Sequence, residues 1–570
     1  MAMMDIRATL KRWKMLATEI DPEEFEVLEH DEEALADAFI RDLEFGTAGL
    51  RGIIGAGSNR MNVYTVAQAT QGLANYLNRT FDNPSVAIAR DSRNMGEEFC
   101  EISAGVLAAN GVRALLYPRI EPTPALSFAV RDLHCSAGIC MTASHNRAEY
   151  NGYKVYGPDG CQITTQAAKD IQSEIGCVDI FDDVTCMDFE EGIEAGLISW
   201  IGDDTIDRFI DCCAQASLSS EKGPLSVVYT PLHGTGLECV TKILERIGVS
   251  DLTIEPDQAI PNGDFPTCPY PNPEVREALE RGLALAEEKQ ADLLLATDPD
   301  ADRVGIAVVK DGEPVLLTGN ETGILLTDYI CTMLSEKGCD LKDKVVISTI
   351  VSSTMLDELC KDRGFELRRT LTGFKYIGEQ IGYLEAEGQA DRYAFGFEES
   401  YGYLAGTHVR DKDAVVTSML ICEMARWYRA KGMDLIDALN ALYAKYGYFE
   451  NAVVSFGFAG SDGIERMADV LTKLRAERPT RIANLAVESS VDYEPGIEMP
   501  IMGGKGDAQA QILPSANVLE YALEGQSKLI IRPSGTEPKI KVYVFAKGAT
   551  KEESARTLAS LKEAAGELLA

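Results

Sequence analysis

Short apolar runs alternate with longer segments of helical periodicity through most of the chain. Residues 86–89 and 114–117 are strand-like, and the segment 92–110 between them has helical spacing. Strands that alternate with helices predict α/β units built on a parallel sheet. The same alternation recurs from residue 225 and again from residue 319, although the sequence itself does not visibly repeat. The pattern therefore predicts three successive α/β domains.

The pattern changes after about residue 448. Residues 528–531 and 539–547 are predicted strands joined by a loop, and Thr550 with Glu553 predicts the cap of a final helix. At the other end, the first forty-odd residues are acidic with helical spacing, which predicts a surface helix or a pair. We predict four domains, with the fourth of the α+β class: residues 1–213, 214–317, 318–447 and 448–570.

Composition and charge narrow the range of partners. The 570 residues carry a net charge of -36, which argues against a general nucleic-acid or anionic-membrane surface. No apolar run approaches the length of a membrane span, and the basic N-terminus lacks the apolar core of a signal peptide. We therefore predict a cytoplasmic protein that binds neither nucleic acid nor membrane. The 14 cysteines form no Cys-x-x-Cys pair and the five histidines show no ligand spacing, so imidazole-based metal sites are not expected.

The first chemical signal, weak by itself, is a serine that follows a strand. The apolar run 137–141 leads into turn-forming residues around Ser144, and Asn151-Gly152 is a second predicted turn. A serine on such a turn presents its hydroxyl, and His145 and Lys154 are near enough in sequence to supply proton transfer and positive charge. Ser144 is therefore a candidate nucleophile. The alternative is an ordinary turn or cap residue.

A second signal is the acidic segment 298–303. Asp298, Asp300 and Asp302 alternate along what we predict to be an extended chain, so all three carboxylates could face one hard cation. A calcium loop of the EF-hand type would need glycine at Arg303 and glutamate at Val309, so magnesium fits better. A solvated acidic turn is the alternative without a metal.

Two further segments resemble phosphate-binding loops. Arg532 is followed by the Pro-Ser-Gly-Thr sequence 533–536, which could offer a guanidinium, two hydroxyls and a nest of backbone N–H groups. Three glycines surround Arg51 in the same way. A hairpin loop and a tight turn are the respective alternatives. The chain has no Walker motif and no Gly-x-Gly-x-x-Gly at a helix start.

Five motifs in this order resemble those of the α-D-phosphohexomutase superfamily: FGTAGLRG, TASHN with NGYK, DPDADR, GFEES and RPSGTEP. The form GFEESYGY and the segment 408–413 resemble the phosphoglucomutase and phosphopentomutase branch. The resemblance covers nearly the whole chain. It implies a heart-shaped α/β molecule of four domains, in which three related α/β domains with mixed sheets and a C-terminal α+β domain surround a central cleft.

The resemblance also implies roles for individual residues. Ser144, His145, Lys154 and Arg51 would be catalytic, and Ser144 with the three aspartates would hold Mg²⁺. The implied sugar and phosphate contacts are Arg303, Thr372, Gly373, Lys375, Glu398, Ser400, Arg410, Lys412, Arg532, Ser534, Gly535 and Thr536. One departure concerns Tyr403, which stands where some relatives have histidine. The general base therefore stays open between Lys154 and His145, with His408 a more distant candidate.

The implied reaction interconverts α-D-glucose 1-phosphate and glucose 6-phosphate. It would proceed through a phosphoserine enzyme and glucose 1,6-bisphosphate, which would also serve as activator. Three alternatives stay open at this point: a phosphopentomutase, a phosphomannomutase and a sugar-phosphate-binding protein without catalysis. The expected partners are small sugar phosphates, and the expected assembly is a monomer or a small homo-oligomer.

Overall fold

The computed structural model describes residues 3–46, 49–458, 463–505, 510–534 and 539–569. Their contacts group the chain into two compact units. The first unit comprises Met1–Thr318, Gly378–Ala390 and Tyr401–Arg426. The second comprises Gly319–Ile377, Asp391–Ser400 and Trp427–Ala570.

The chain begins with three short helices rather than the predicted surface helix or pair: α1 (Met3–Leu16), α2 (Pro22–His30) and α3 (Glu32–Phe39). The Asp21 side chain caps α2 by accepting from the Glu23 N–H at 2.9 Å. The helices bury Trp13, Phe25 and Phe39 in a small core to which residues outside these helices also contribute. The predicted number of helices was wrong, but each helix buries one apolar stripe and exposes its other face, as a surface helix does.

A six-stranded sheet follows, in the order β1-β5-β4-β2-β3-β6. Its strands are β1 (Gly49–Ile53), β2 (Ser85–Arg90), β3 (Arg113–Leu116), β4 (Ala137–Met141), β5 (Tyr150–Tyr156) and β6 (Ile198–Trp200). The associated helices are α4 (Val63–Thr80), α5 (Gly96–Ala109), α6 (Thr123–Asp132), α7 (Thr165–Ile175), α8 (Phe189–Glu194) and α9 (Asp203–Gln215). β2 runs parallel to β3 and β4, whereas β5 is antiparallel to β4 and β1.

Two predicted turns lie inside these strands. Asn151 and Gly152 belong to β5, and Gly152 faces Arg51 of β1. A Cβ atom on Gly152 would stand 2.5 Å from the Thr142 carbonyl oxygen. The glycine is therefore required for close strand packing rather than for a turn, and the turn and loop predictions at both positions were wrong.

The second sheet has five strands in the order β11-β10-β9-β7-β8. They are β7 (Ser226–Thr230), β8 (Asp251–Ile254), β9 (Leu293–Thr297), β10 (Val304–Lys310) and β11 (Glu313–Leu317), with helices α10 (Gly236–Arg246) and α11 (Arg276–Lys289). β7 is parallel to β8 and β9, while β9 and β10 are antiparallel neighbours. The acidic segment 298–303 is the connection between β9 and β10, at the carboxyl end of a buried strand.

The third α/β region contains α12 (Gly319–Glu336), β12 (Val345–Thr349), α13 (Met355–Arg363), β13 (Glu366–Thr370), α14 (Phe374–Ala386), β14 (Tyr393–Glu398), β15 (Gly402–Leu404), α15 (Ala414–Arg429) and α16 (Leu435–Tyr446). Two short 3₁₀ helices, Leu341–Asp343 and Ala390–Arg392, join these elements. β12 runs parallel to β13 and to β14. The ends of β12, β13 and β14 therefore meet at one edge, as parallel strands require.

The last region is an antiparallel sheet in the order β16-β23-β22-β21-β18-β17. Its elements are β16 (Tyr448–Gly457), α17 (Gly463–Glu477), β17 (Arg481–Ile482), β18 (Leu485–Asp492), β19 (Ile497–Pro500), β20 (Ala510–Leu513), β21 (Leu519–Leu523), the 3₁₀ helix Glu524–Gln526, β22 (Ser527–Pro533), β23 (Lys539–Gly548) and α18 (Lys551–Leu569). Thr550 accepts from the Glu553 N–H at 3.2 Å, which confirms the predicted cap. Arg532 was predicted in a loop but lies within β22, opposite Lys541 of β23.

Among the residues that the structure describes, no helix is both long enough and apolar enough to cross a membrane.

Candidate active site

Ser144 lies at the first sharp bend after β4. Its backbone is left-handed, with φ +52°, and its N–H donates to Thr142 Oγ1 at 2.8 Å. Its hydroxyl donates to Asp298 Oδ2 at 2.8 Å and lies 3.0 Å from His145 Nδ1. A non-glycine residue in this conformation costs on the order of 1 kcal/mol or more, and such strain is typical of functional turns. The structure thus confirms that the strand delivers Ser144 to a turn.

Arg93 holds that turn in place and was missed by the sequence analysis. Its buried guanidinium donates to the carbonyl oxygens of Ser144 at 2.7 Å, Arg147 at 2.8 Å and Tyr150 at 2.9 Å, and also to the Asn146 carbonyl. One side chain thereby satisfies four carbonyls of the serine turn. The signal in the sequence was the polar segment directly after β2, because β2 and β4 are parallel neighbours whose ends meet.

Asp298, Asp300 and Asp302 converge from a tight turn, not from the predicted extended chain. Ala301 has φ +48°, and one carboxylate oxygen of each aspartate lies within 4.8 Å of the others. All three side chains are buried. Asp298 Oδ1 accepts from the backbone N–H groups of Asp302 at 3.2 Å and Arg303 at 3.0 Å. The turn therefore brings the carboxylates together by its own backbone hydrogen bonds.

Positive side chains surround this cluster. Lys154 Nζ lies 2.8 Å from Asp300 Oδ2, and Lys412 Nζ lies 2.9 Å from Asp302 Oδ2. Burial opposes the charge on Lys154, yet the carboxylates of Asp300 and Asp302 outweigh it and raise the pKa of Lys154 above its usual value. Lys154 is thus a charged partner of the aspartates in this arrangement.

Arg303 is a third positively charged side chain beside the three aspartates. Its Nε lies 4.0 Å from Asp298 Oδ2 and 3.8 Å from Asp302 Oδ1, while its Nη1 donates to Glu274 Oε1 at 2.8 Å. The family resemblance alone predicted Arg303 and Lys412 as substrate contacts. Both lie at the aspartate cluster, where an anionic group would meet positive charge.

The aspartate cluster fits a hard divalent cation. Asp300 Oδ1 and Asp302 Oδ1 are buried and accept no hydrogen bond from any described residue. Burial, followed by the charges of Asp300 and Asp302, raises the pKa of Asp298 well above its ordinary value. Three crowded carboxylates with unused oxygens are the ligand set that Mg²⁺ prefers. The prediction of a possible metal site at these residues therefore agrees with their geometry.

His145 is the candidate base that stands beside the serine hydroxyl. Its burial and the nearby guanidinium groups of Arg303 and Arg51 lower its pKa well below the ordinary value, so the ring is neutral near pH 7. Arg51 itself reaches Asn146 Oδ1 at 3.5 Å from the exposed face of β1. His408 instead contacts Asp413, at 2.9 Å. The geometry thus favours His145 over His408 as the neighbour of Ser144.

In the second unit, the predicted sugar loops meet at the ends of β13 and β14. Glu398 Oε1 accepts from the Gly373 N–H at 2.8 Å, which joins the two loops directly. Gly373 has φ +122°, a backbone conformation that other residues rarely adopt. Lys375 Nζ lies 5.2 Å from the centre of the Tyr376 ring, and Ser400 is half-buried beyond β14. Two segments far apart in sequence thereby form one polar edge.

A pocket in the same unit connects these loops to the last domain. Thr372 and Tyr376 line it together with Arg532 and Ile530 of β22. The Ser534 N–H donates to the Lys539 carbonyl at 2.8 Å, which closes the strand pair beyond Arg532. Predicted phosphate contacts at Gly535 and Thr536 lie outside the described residues.

Arg410 is the predicted substrate contact whose surroundings fit that role least. Its guanidinium is fully buried, and Nη2 donates to Glu385 Oε2 at 2.6 Å while Nη1 donates to backbone carbonyls. Its backbone N–H donates to Ser127 Oγ at 3.0 Å. These contacts fix the segment before α15, so a substrate role for Arg410 stays a prediction.

The chain matches three family models in succession. They describe phosphoglucomutase/phosphomannomutase α/β/α domains I, II and III, and they match residues 42–178, 207–312 and 318–446. A phosphoglucomutase of Staphylococcus aureus is 36% identical over 516 residues, which cover 90% of this chain and 91% of that protein. A phosphoglucomutase of Staphylococcus epidermidis is also 36% identical, over 88% of this chain and 90% of its own length.

Solved structures share the fold at lower identity. Parafusin from Paramecium, described as a phosphoglucomutase, has a TM-score of 0.68 at 17% identity and covers 92% of this chain and 94% of its own. A phosphoglucomutase/phosphomannomutase family protein from Burkholderia thailandensis has a TM-score of 0.66 at 17% identity, with coverage of 92% and 97%.

Fold and site together define an α/β enzyme of the phosphomutase class, within the isomerases. The chain belongs to the phosphoglucomutase/phosphomannomutase family of the α-D-phosphohexomutase superfamily. The predicted class, three α/β domains with mixed sheets and a C-terminal α+β domain, is confirmed. The domain boundaries, the heart shape and the central cleft stay predictions.

Proposed function

We propose that this chain is a phosphoglucomutase that interconverts α-D-glucose 1-phosphate and glucose 6-phosphate. One observation carries the proposal: the Ser144 hydroxyl lies 2.8 Å from Asp298, inside a buried cluster of three aspartates that fits a divalent cation. The Staphylococcus relatives, which are named phosphoglucomutases and cover about nine-tenths of the chain, support the choice of glucose.

Asp298, Asp300 and Asp302, with Ser144, would hold Mg²⁺. The ion, when bound, supplies positive charge to a phosphoryl group carried on Ser144 and neutralises the carboxylates. Lys154 and Lys412 orient Asp300 and Asp302 respectively, and they add positive charge at the edge of the site. Arg93 keeps the turn of Ser144 fixed through its backbone carbonyls.

In the proposed reaction, phospho-Ser144 donates its phosphoryl group to a free hydroxyl of the bound sugar monophosphate. The bond from phosphorus to Ser144 Oγ breaks, a bond to the sugar oxygen forms, and the hydroxyl proton is lost. His145 lies 3.0 Å from Ser144 Oγ and is neutral near pH 7, so it can exchange a proton with that oxygen. Of the two candidate bases, His145 is neutral and can take the sugar proton, whereas the raised pKa of Lys154 leaves its amine protonated beside Asp300.

Glucose 1,6-bisphosphate is the product of that first transfer. It must turn over within the enzyme and return its other phosphate to Ser144 before the isomeric monophosphate leaves. The polar edge formed by Glu398 and Gly373 would bind sugar hydroxyls, and Arg532 at the neighbouring pocket would bind the phosphate that is not transferred. The partners are then small sugar phosphates, and we expect a cytoplasmic monomer or small homo-oligomer.

A coupled assay that follows glucose 6-phosphate formed from glucose 1-phosphate tests this proposal. Ribose 1-phosphate and mannose 1-phosphate should compete weakly and turn over more slowly. A higher kcat/KM for either competitor would reassign the sugar while leaving the phosphomutase chemistry intact. Failure on all three sugars, in the presence of Mg²⁺ and catalytic glucose 1,6-bisphosphate, would sink the proposed function.

A further inference from the structure

Three side chains of the first unit converge on one point that the reaction does not use. Cys213 lies in the last turn of α9, whereas His408 and Asp413 precede α15. Cys213 Sγ is 3.5 Å from His408 Nε2 and 3.6 Å from Asp413 Oδ2, and these two atoms are 2.9 Å apart. A thiol, an imidazole and a carboxylate therefore face one another within contact distance.

These separations match a tetrahedral metal site. Zinc holds sulfur at about 2.3 Å and nitrogen or carboxylate oxygen at about 2.0–2.2 Å, so its ligand atoms lie roughly 3.3–3.6 Å apart. The two distances from Cys213 Sγ fall in or at the edge of this range. The third distance, between His408 Nε2 and Asp413 Oδ2, needs to lengthen by about 0.4 Å, which small side-chain rotations supply.

The arrangement differs from a catalytic relay. A Cys-His-Asp relay places the nucleophile on one ring nitrogen and the carboxylate on the other. In this cluster both partners approach the same atom, His408 Nε2, which carries at most one proton. Without a metal, the Cys213 thiol and the His408 Nε2–H can each donate to Asp413 Oδ2. A cation would instead bind all three atoms, with the Cys213 thiol deprotonated and the His408 proton on Nδ1.

Groups outside the cluster hold two of the ligands in position. Asp413 Oδ1 caps α15 by accepting from the N–H groups of Val415 at 2.8 Å and Val416 at 3.1 Å, which directs Oδ2 to the cluster. The ring of Phe209, one helical turn before Cys213, lies 5.9 Å from the His408 ring. Such outer contacts are typical of metal sites, because they fix the ligands before the ion arrives.

Access is narrow but present. The Asp413 side chain is 0% exposed and the His408 side chain 7% exposed. Cys213 is also 0% exposed, so the imidazole of His408 is the part of the cluster nearest to solvent, and an ion would have to enter on that side.

We propose that Cys213, His408 and Asp413 bind a thiophilic divalent cation of the zinc class, at a second site separate from the three aspartates. Binding replaces the thiol proton of Cys213, which passes to solvent. The ion would tie α9 to the segment that contains Lys412, whose amine contacts Asp302 at 2.9 Å. This proposal departs from the expectation that imidazole-based metal sites are absent. That expectation rested on local ligand spacing, and Cys213 lies 195 residues before His408 in the chain.

Cobalt titration of the full-length protein in excess Mg²⁺ tests this inference. The magnesium occupies carboxylate sites, and only a thiolate ligand produces the near-ultraviolet sulfur-to-cobalt charge-transfer band. We expect about one equivalent of Co²⁺ to develop the band and Zn²⁺ to displace it. Cys213→Ser should abolish the band, and His408→Gln should weaken Co²⁺ binding by more than about tenfold. Cys212→Ser, on the adjacent position of α9, is the matched control and should leave the band unchanged.

Two results would overturn the site: no band in the wild-type protein, or a band that survives Cys213→Ser. Circular dichroism establishes that each variant is folded. If Cys213→Ser does not fold, His408→Gln decides alone, and unchanged Co²⁺ affinity in that variant overturns the proposal. Because the readout is metal binding rather than turnover, failure here is distinct from failure of the proposed phosphoglucomutase activity.

Discussion

The serine site of the first unit and the proposed sugar and phosphate loops of the second unit are built differently. Around Ser144 the reactive groups are buried and contact one another directly at about 3 Å. The Ser144 hydroxyl, for example, lies 2.8 Å from Asp298 Oδ2. In the second unit, Thr372, Lys375 and Arg532 are half-buried along an accessible edge and pocket. The first region is suited to one fixed chemical step, because the rearrangement of closely packed, buried side chains costs free energy. The second is suited to a ligand that must bind in two orientations.

The comparison predicts that substitutions at the serine site lower kcat, whereas substitutions at the loops raise KM or release the intermediate. Removal of the nucleophile is the sharpest test. Ser144→Ala should reduce turnover to background, because no other described hydroxyl donates to Asp298. Intact-mass spectrometry should show a phosphate-sized addition on part of the wild type and none on the variant.

Ser58→Ala serves as the control for that experiment, since Ser58 Oγ bonds only to the Arg41 carbonyl, at 3.2 Å, among the contacts of the described chain. It should keep both turnover and the mass addition. Detection of the phosphate on Ser144→Ala at another residue would remove Ser144 from its proposed role.

The next largest effect is expected at the aspartate cluster. Asp300→Asn removes one charge from the three carboxylates and weakens the contact with Lys154, so kcat should fall on the order of 10²-fold even at saturating Mg²⁺. EDTA should abolish wild-type activity and Mg²⁺ should restore it. Asp311→Asn, at an exposed left-handed turn that asparagine also accepts, is the matched control. Full activity in excess EDTA would contradict the metal role.

A positioning effect is expected at Arg93, which touches the serine turn but not the hydroxyl. Arg93→Lys cannot reach four carbonyls, so the turn should loosen and kcat should fall by about ten- to a hundredfold with little change in KM. Thermal melting reports whether the fold survives. A rise in KM at constant kcat would instead assign Arg93 to substrate binding.

In the second unit, Arg532→Ala should weaken sugar-phosphate binding by roughly 1.5–3 kcal/mol, and lysine should rescue only part. Looser binding should also release glucose 1,6-bisphosphate, so activity should depend more strongly on added bisphosphate. Arg481→Ala, at an exposed arginine in the same sheet, is the control. Unchanged affinity together with unchanged release would mean that Arg532 only completes the strand pair.

The smallest expected effect concerns the buried carboxyl group of Glu121, which should alter the stability of the fold and not the turnover. Burial raises the pKa of Glu121 from 4.5 to about 8, although Arg119 opposes the shift. Between these values the unfolded chain is ionised while the folded chain keeps the proton, so this group lowers stability as pH rises from about 4.5 to 8. Glu121→Gln should therefore raise the melting temperature increasingly over that range, with turnover unchanged. A difference in melting temperature that is constant with pH would refute the shift.

The sequence by itself determined the fold class, most of the helices and strands, and the segments that contain the site. Strand 137–141, the turn at Ser144 and the three aspartates followed from local pattern, because the period of apolar residues and the turn formers act over a few residues. The resemblance to the family added Arg303 and Lys412 to the predicted site residues, and the structure places both side chains at the aspartates.

Tertiary structure alone decided which distant residues meet. Arg93 reaches the serine turn only because β2 and β4 are parallel neighbours, and Lys412 reaches Asp302 from 110 residues further along the chain. Asn151-Gly152 has the composition of a turn, yet it lies in β5 because a strand on each side needs a residue without a Cβ atom there. The intrinsic preference of one residue for or against a strand changes the free energy of folding by about 1 kcal/mol, and the packing of a whole sheet outweighs that preference.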